Sequence, residues 1–200
     1  MKNNNLTIEQ FYPTFIGVAD NPEHNLIKNT LIKECLAISK KIKKGGTNWI
    51  ANKTYNTLDT YNLLINKKFD TLHSWIFEKI KQYSISLKYK GEYKCSDAWF
   101  NIYKKYDFQE YHEHGLSTLS AVYFLKSDKN SSKIFFKFND TTNIMDPVLD
   151  NSFALTSPLV NYNPIPGRLL IFRSTVKHCV ERHESNDIRI SLAYNFNKIV

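Results

Sequence analysis

Three histidines and one arginine carry the chemistry legible in this chain. His112 and His114 flank Glu113 just ahead of the apolar run from Leu119 to Leu125. His178 follows the segment Pro166-Gly-Arg-Leu-Leu-Ile-Phe172, and Arg189 and Ser191 come shortly after it. On an extended strand, residues two apart share a face, so His112 and His114 can converge on one point while Glu113 faces away. Glu110 falls on the same face and is either an outer ligand or an orienting partner, and the fallback carboxylate for that point. Imidazoles in this arrangement suit a divalent iron, zinc, copper or nickel ion. Arg189 and Ser191 share a strand face. A guanidinium on such a polar row is the side chain best matched to a carboxylate, through two parallel charge-assisted hydrogen bonds. The combination predicts a metal site beside an anion site. Cys179 adjoins His178 but points to the opposite face, which makes it a poorer ligand.

These residues need a scaffold, and the hydrophobic pattern supplies one. Leu26, Ile27, Leu31, Cys35, Leu36 and Ile38 recur at helical spacing and predict a helix that ends at Gly45-Gly46. Leu72, Ile76, Ile80 and Tyr83 predict a second helix from Phe69 to about Ser86, with Asp70 at its start and His73 as a packed or surface residue. From about Cys95 the period changes to two. Trp99, Asn101 and Tyr103 fall on one face, Phe100 and Ile102 on the other. Strands are expected near 111–114, 118–125, 133–138, 168–172, 178–181 and 188–197, with Ile190, Leu192, Tyr194 and Phe196 as core. Many short strands after a helical region predict a mainly β, α+β fold: a double-stranded β-helix (jelly roll) core over 95–200, supported by a mostly helical region over 1–94. One domain over 1–200 is expected from length and the lack of a linker or repeat.

Composition narrows the class. The formal charge is +8, from 27 basic and 19 acidic residues. Lysine is spread along the chain, so the charge reads as a solvated surface rather than a nucleic-acid face, and it suits an anionic cosubstrate equally. Cys35, Cys95 and Cys179 form no paired motif and read as reduced thiols. No signal peptide and no membrane-length apolar run is seen, so a cytoplasmic location is expected. His24 and His183 are expected at the surface. Arg173 is placed to meet either an anionic substrate or a surface carboxylate.

The order H-x-H, distal His178, then Arg189-x-Ser191 resembles the Fe(II)/2-oxoglutarate-dependent dioxygenases. More narrowly, the chain is similar to small members of that superfamily found in bacteria and tailed phages. Phe11-Tyr-Pro-Thr-Phe15, Ala98-Trp-Phe-Asn-Ile-Tyr103, Tyr111-His-Glu-His-Gly115, Ser120-Ala-Val-Tyr-Phe124 and Pro166-Gly-Arg-Leu-Leu-Ile-Phe172 carry the likeness. The resemblance implies Fe(II) held by His112, His114 and His178, with 2-oxoglutarate and O2 as cosubstrates and hydroxylation of an unactivated C–H bond as the reaction. It also implies that Arg189, helped by Ser191, binds the distal carboxylate of 2-oxoglutarate, with Tyr103 as a further donor and Asn101 as a weaker one. Position 114 departs from the wider pattern, which has Asp or Glu there. Metal affinity is expected to fall below about pH 6, where imidazole protonates.

Two other readings compete. A cupin-like metalloprotein would use the three histidines without 2-oxoglutarate, leaving Arg189 for substrate. A non-catalytic jelly roll would bind carbohydrate or nucleic acid through its aromatics and lysines. The substrate, a small molecule or a peptide side chain, is not specified. The long loop over 139–163 could be a lid or a contact surface in a homo-oligomer.

Overall fold

The computed structural model describes residues 13–46, 48–138 and 157–199. Residues 11 and 12 of the N-terminal motif and 139–156 of the long loop lie outside the described residues.

Among the described residues, ten strands form two antiparallel sheets. The larger has the order β1 (Gly17–Asp20), β8 (Arg168–Arg173), β5 (Leu119–Lys126), β10 (Arg189–Ile199), β3 (Glu92–Tyr103) and β2 (Tyr55–Asn56). The smaller has the order β4 (Gln109–His112), β9 (Lys177–Val180), β6 (Ile134–Lys137) and β7 (Leu159–Tyr162). This is the double-stranded β-helix expected from the sequence. Alternation sorts the side chains of the larger sheet between two cores. Phe100, Ile102, Ile190, Leu192, Tyr194 and Phe196 face the helices, whereas Val122, Phe124, Leu170 and Phe172 face Ile134 and Phe136 of the smaller sheet.

Helices α1 (His24–Ser39) and α2 (Asp70–Ser86) cover the outer face of the larger sheet. Leu72, Ile76, Ile80 and Tyr83 of α2 are buried, as their spacing predicts. In α1, Leu31, Cys35 and Ile38 are buried on one face with His24, whereas Leu26, two residues on from His24, lies on the other side of the helix and is 81% exposed. The helix also ends at Ser39, short of Gly45-Gly46. Those glycines have a different task. A Cβ on Gly45 would sit 1.6 Å from the Leu58 carbonyl oxygen, and Gly46 has φ +57° against the Trp49 ring. They let the 45–58 segment fold back tightly and present Trp49.

Three short strands were not predicted. β1 and β2 lie inside the region expected to be helical, and β7 lies in the predicted loop, where it pairs with β6. Each has four residues or fewer, too few for alternation to register. His24 and His183 are 6% and 0% exposed, not surface residues. His24 Nδ1 bonds the Tyr123 hydroxyl at 2.8 Å, and His183 Nε2 lies 2.8 Å from the Asp187 carbonyl oxygen. His73 is packed, stacked between Phe69 and Phe77 with ring centroids 5.9 Å from each.

Burial moves the His73 imidazole down to about 4. An unfolded chain would protonate it near 6.5. Stability from this residue is therefore complete above about pH 6.5 and drains away as pH falls through 4. The expected loss is about 2 kcal/mol by pH 5, and urea unfolding at pH 7 and pH 5 should show it. The phenylalanine variant His73→Phe should make the acid limb shallower by about that amount, with the other buried histidines keeping the rest; an acid limb as steep as the parent's would rule the assignment out.

Candidate functional site

His112 and His178 sit directly opposite each other across the β4–β9 pair, and His114 follows two residues beyond the end of β4. The ring centroids are 4.2 Å apart for His112–His178, 5.1 Å for His114–His178 and 5.2 Å for His112–His114. One nitrogen from each ring lies within 4.8 Å of the others. The opposite nitrogens are already engaged. His112 Nδ1 contacts the Glu110 carbonyl oxygen at 2.8 Å, and His178 Nδ1 contacts the Val176 carbonyl oxygen at 2.9 Å. His114 Nδ1 lies 2.7 Å from Asn195 Oδ1 and 3.0 Å from Ser120 Oγ. Ser120 Oγ also donates to Asn195 Oδ1 at 2.9 Å and contacts Ser174 Oγ at 2.8 Å. Acceptors at Nδ1 fix the proton there and leave Nε2 free on each ring, an outer support typical of metal-binding histidines.

Electrostatics agree with that tautomer. Burial first, and then the neighbouring imidazoles, hold His178 well below the usual histidine range. Burial, followed by the charge of His112, takes His114 down to about 4, and burial also lowers His112. The rings are neutral at pH 7, the state a metal needs. The acid limit of metal binding accordingly moves below the pH 6 expected from free imidazole. Affinity in a competition titration should hold from pH 7 to about 5.5 and fall steeply nearer 4.

Glu110 is not part of the cluster. A bulge between Gln109 and His112 interrupts the two-residue repeat on which that alternative rested. Its carboxylate instead accepts from the backbone N–H of Ile50 at 2.8 Å and of Ala51 at 3.2 Å. Those residues adjoin Trp49, whose ring stacks on His112 at 6.4 Å. Glu110 thus orients His112 through its carbonyl and anchors the tryptophan segment through its side chain. In Glu110→Ala the segment should loosen, seen as faster amide exchange at residues 49–51 and a red-shifted tryptophan emission, with metal affinity lowered about tenfold. Unchanged exchange would argue against the anchor.

Behind the histidines, a pocket is lined by Trp99, Asn101, Tyr103, Gln109, Arg189 and Ser191. Arg189 is 0% exposed, with its guanidinium carbon 4.6 Å from the Tyr103 ring and 5.4 Å from the Phe124 ring. Tyr103 steadies the cation electrostatically, yet Nε, Nη1 and Nη2 all lack a partner with hydrogen-bond geometry. Burial pulls the guanidinium pKa down. A buried cation without an anion is costly, and these donors call for a carboxylate. Asn101 Oδ1, Gln109 Oε1 and the Trp99 indole N–H are likewise buried without partners. Metal-ligating geometry and an orphaned cation therefore occupy one pocket, and the residues present fit an iron ion with an acidic cosubstrate.

The sequence matches the family described as "Putative 2OG-Fe(II) oxygenase" over residues 97–195, a span holding the histidine cluster, Arg189 and Ser191. Residues 97–195 belong to the Fe(II)- and 2-oxoglutarate-dependent oxygenase superfamily. Iron, 2-oxoglutarate and O2 come with that membership. Solved structures share the fold. A prolyl-4-hydroxylase from Pseudomonas putida is 14% identical, with 92% of this chain and 94% of that chain covered and a TM-score of 0.65. A prolyl hydroxylase from Trichoplax adhaerens, in complex with a hypoxia inducible factor oxygen degradation domain peptide fragment, is 12% identical, covering 92% and 83% at a TM-score of 0.65. The viral collagen prolyl hydroxylase of Paramecium Bursaria Chlorella virus-1, in its 2OG complex, is 11% identical, covering 92% and 96% at 0.60. No curated protein matches the sequence significantly. At these identities the structural likeness speaks for the fold of the oxygenase alone.

Several site residues were not singled out from sequence. Asn195 and Ser120 hold His114, Ser174 extends that network, and Trp49 covers His112. Asn195 lay on the correct polar row of β10, which is the signal that could have found it. Trp49 sits in a loop, where no periodicity marks it. Cys179 packs beside Tyr111, away from the cluster. Arg173 borders a second pocket with Glu113, Lys137 and Lys177. Among the described residues, no helix is long and apolar enough to cross a membrane.

Proposed function

We propose that the oxygenase hydroxylates a substrate C–H bond, with His112, His114 and His178 holding Fe(II) through Nε2. Iron held there with 2-oxoglutarate would supply O2 activation, with one oxygen atom placed in the C–H bond and the other in succinate as CO2 is lost. The protein's own contribution is positional. Acceptors at each Nδ1 fix the ring orientations, and Phe136 and Phe172 wall His178 at 5.8 and 4.8 Å. Arg189, with Ser191 and Tyr103 beside it, binds the distal carboxylate of 2-oxoglutarate in the inner pocket. Asn101 Oδ1, an acceptor, would serve that carboxylate only with its amide turned, so that NH2 faces inward.

The single observation that carries this reading is the fully buried, unpartnered Arg189 in the same pocket as the histidines. It also weighs against the cupin-like alternative, whose substrate would have to reach the same buried position. Succinate should form from 2-oxoglutarate when Fe(II) and O2 are supplied together, even slowly and without substrate. Absence of succinate despite bound iron would remove the reading.

A further inference from the structure

Two open grooves outside the inner pocket meet at Trp99. One is bordered by Trp49, Leu58, Asp97, Trp99, His114 and Leu116 and opens directly on the histidines. The other runs from Asp97 and Trp99 past Asp59 and Tyr61 to Ile65. Leu58, Asp97 and Trp99 belong to both, so the grooves form one trough ending at the metal site.

Its charge runs against that of the whole molecule. The chain has 27 basic residues and a formal charge of +8, yet neither groove is lined by a described lysine or arginine. Asp59 and Asp97 are exposed there, and neither takes part in an ion pair among the described residues. Glu113, a further carboxylate on the rim, also faces Lys137, Arg173 and Lys177 and is left out of the site. A second observation is independent of charge. Trp99 is only 5% exposed, and its indole N–H is buried with no acceptor. That donor belongs to the buried floor shared with the inner pocket, whereas the half-buried Trp49 ring borders the trough and offers an indole face that favours a cation. Leu116 in one groove is 99% exposed and Ile65 in the other 72%, apolar surface on both that a chain longer than a small amine would cover.

We propose that the trough binds a stretch of polypeptide bearing a lysyl or arginyl side chain. Asp97 and the Trp49 ring receive the cation. The basic residue is thereby carried to the metal site as the substrate. This proposal rests on the oxygenase reading for its chemistry but not for binding.

The test uses Fe(II)-loaded protein without oxygen and with 2-oxoglutarate. Three fluorescein-labelled octapeptides alternate alanine with lysine, glutamate or norleucine, and binding is followed by anisotropy at about 0.15 M salt. The lysine peptide should bind about tenfold more tightly than either other. Asp97→Asn should weaken it roughly threefold to tenfold, as expected for a rim carboxylate assisted by an aromatic face. Equal or tighter binding of the glutamate peptide, the result that overall charge alone would give, overturns the proposal, as does an unaffected Asp97→Asn variant. Lysine amide matching the peptide's affinity overturns the polypeptide part. Protein that binds 2-oxoglutarate but shows no peptide preference sinks the trough alone. Protein that prefers the lysine peptide yet binds no 2-oxoglutarate supports the trough and sinks the oxygenase reading.

Discussion

Replacing Arg189 by methionine should make the apoprotein more stable while abolishing its affinity for 2-oxoglutarate. The guanidinium is wholly buried between Tyr103 and Phe124, and none of its three nitrogens has a hydrogen-bond partner. Among the described residues, Tyr103 and the charge of Glu181 offset that desolvation only in part. An unbranched apolar side chain of similar length fills the same space at no such cost, so a gain of about 1–3 kcal/mol in urea unfolding is expected. Against a bound carboxylate the same change removes the one buried cation among the described residues that line this pocket. The expected loss of 2-oxoglutarate affinity exceeds about 100-fold. Arg189→Lys should keep the charge but not the planar fork, and fall between the two. A methionine variant less stable than the parent would mean that Arg189 is already satisfied in the apoprotein.

His178→Ala should have the largest effect on metal binding. The imidazole is 3% exposed, faces His112 across β4–β9 and is fixed by Val176 on one side and two phenylalanines on the other. Removing one of three ligands should lower Fe(II) affinity by well over about 100-fold, beyond what the loss of an outer partner costs. Asn195→Ala supplies that comparison. It leaves the His114 imidazole in place but removes its 2.7 Å partner, so a loss of about tenfold to 100-fold is expected. Isothermal titration of both variants ranks the two effects, and a larger loss in Asn195→Ala would place the metal elsewhere.

Position 114 gives that comparison its point. Histidine there replaces the carboxylate of the wider pattern, and the surroundings match histidine. The Asn195 Oδ1 acceptor meets a ring N–H, a contact that a carboxylate, which only accepts, could not return. Ser120 and Ser174 complete the same network from β5 and the turn after β8. A neutral imidazole is thus built into the polar side of the larger sheet.

Much of this was legible because the site residues lie on strands with clean alternation. The split of Trp99, Asn101 and Tyr103 from Phe100 and Ile102 follows from a period of two, and so does the split of Arg189 and Ser191 from Ile190 and Leu192. The same rule misplaced Glu110, because a bulge changes the count within β4 and alternation cannot foresee it. Trp49 and the short strands β1, β2 and β7 escaped for a related reason. They are positioned by tertiary contacts, with Glu110 for the Trp49 segment, β8 for β1, β3 for β2 and β6 for β7, none of which is written in local sequence. His24 and His183 show the converse: isolated polar residues, each buried because a distant partner takes its ring nitrogen.

The most direct test of the metal and cosubstrate assignment is an oxygen-free titration of the apoprotein with Fe(II) and then 2-oxoglutarate, followed by visible absorption. A weak metal-to-cosubstrate charge-transfer band, absent in His178→Ala and greatly weakened in Arg189→Met, is the predicted result. Tight iron binding with no band on adding 2-oxoglutarate, or a band indifferent to Arg189, would contradict it.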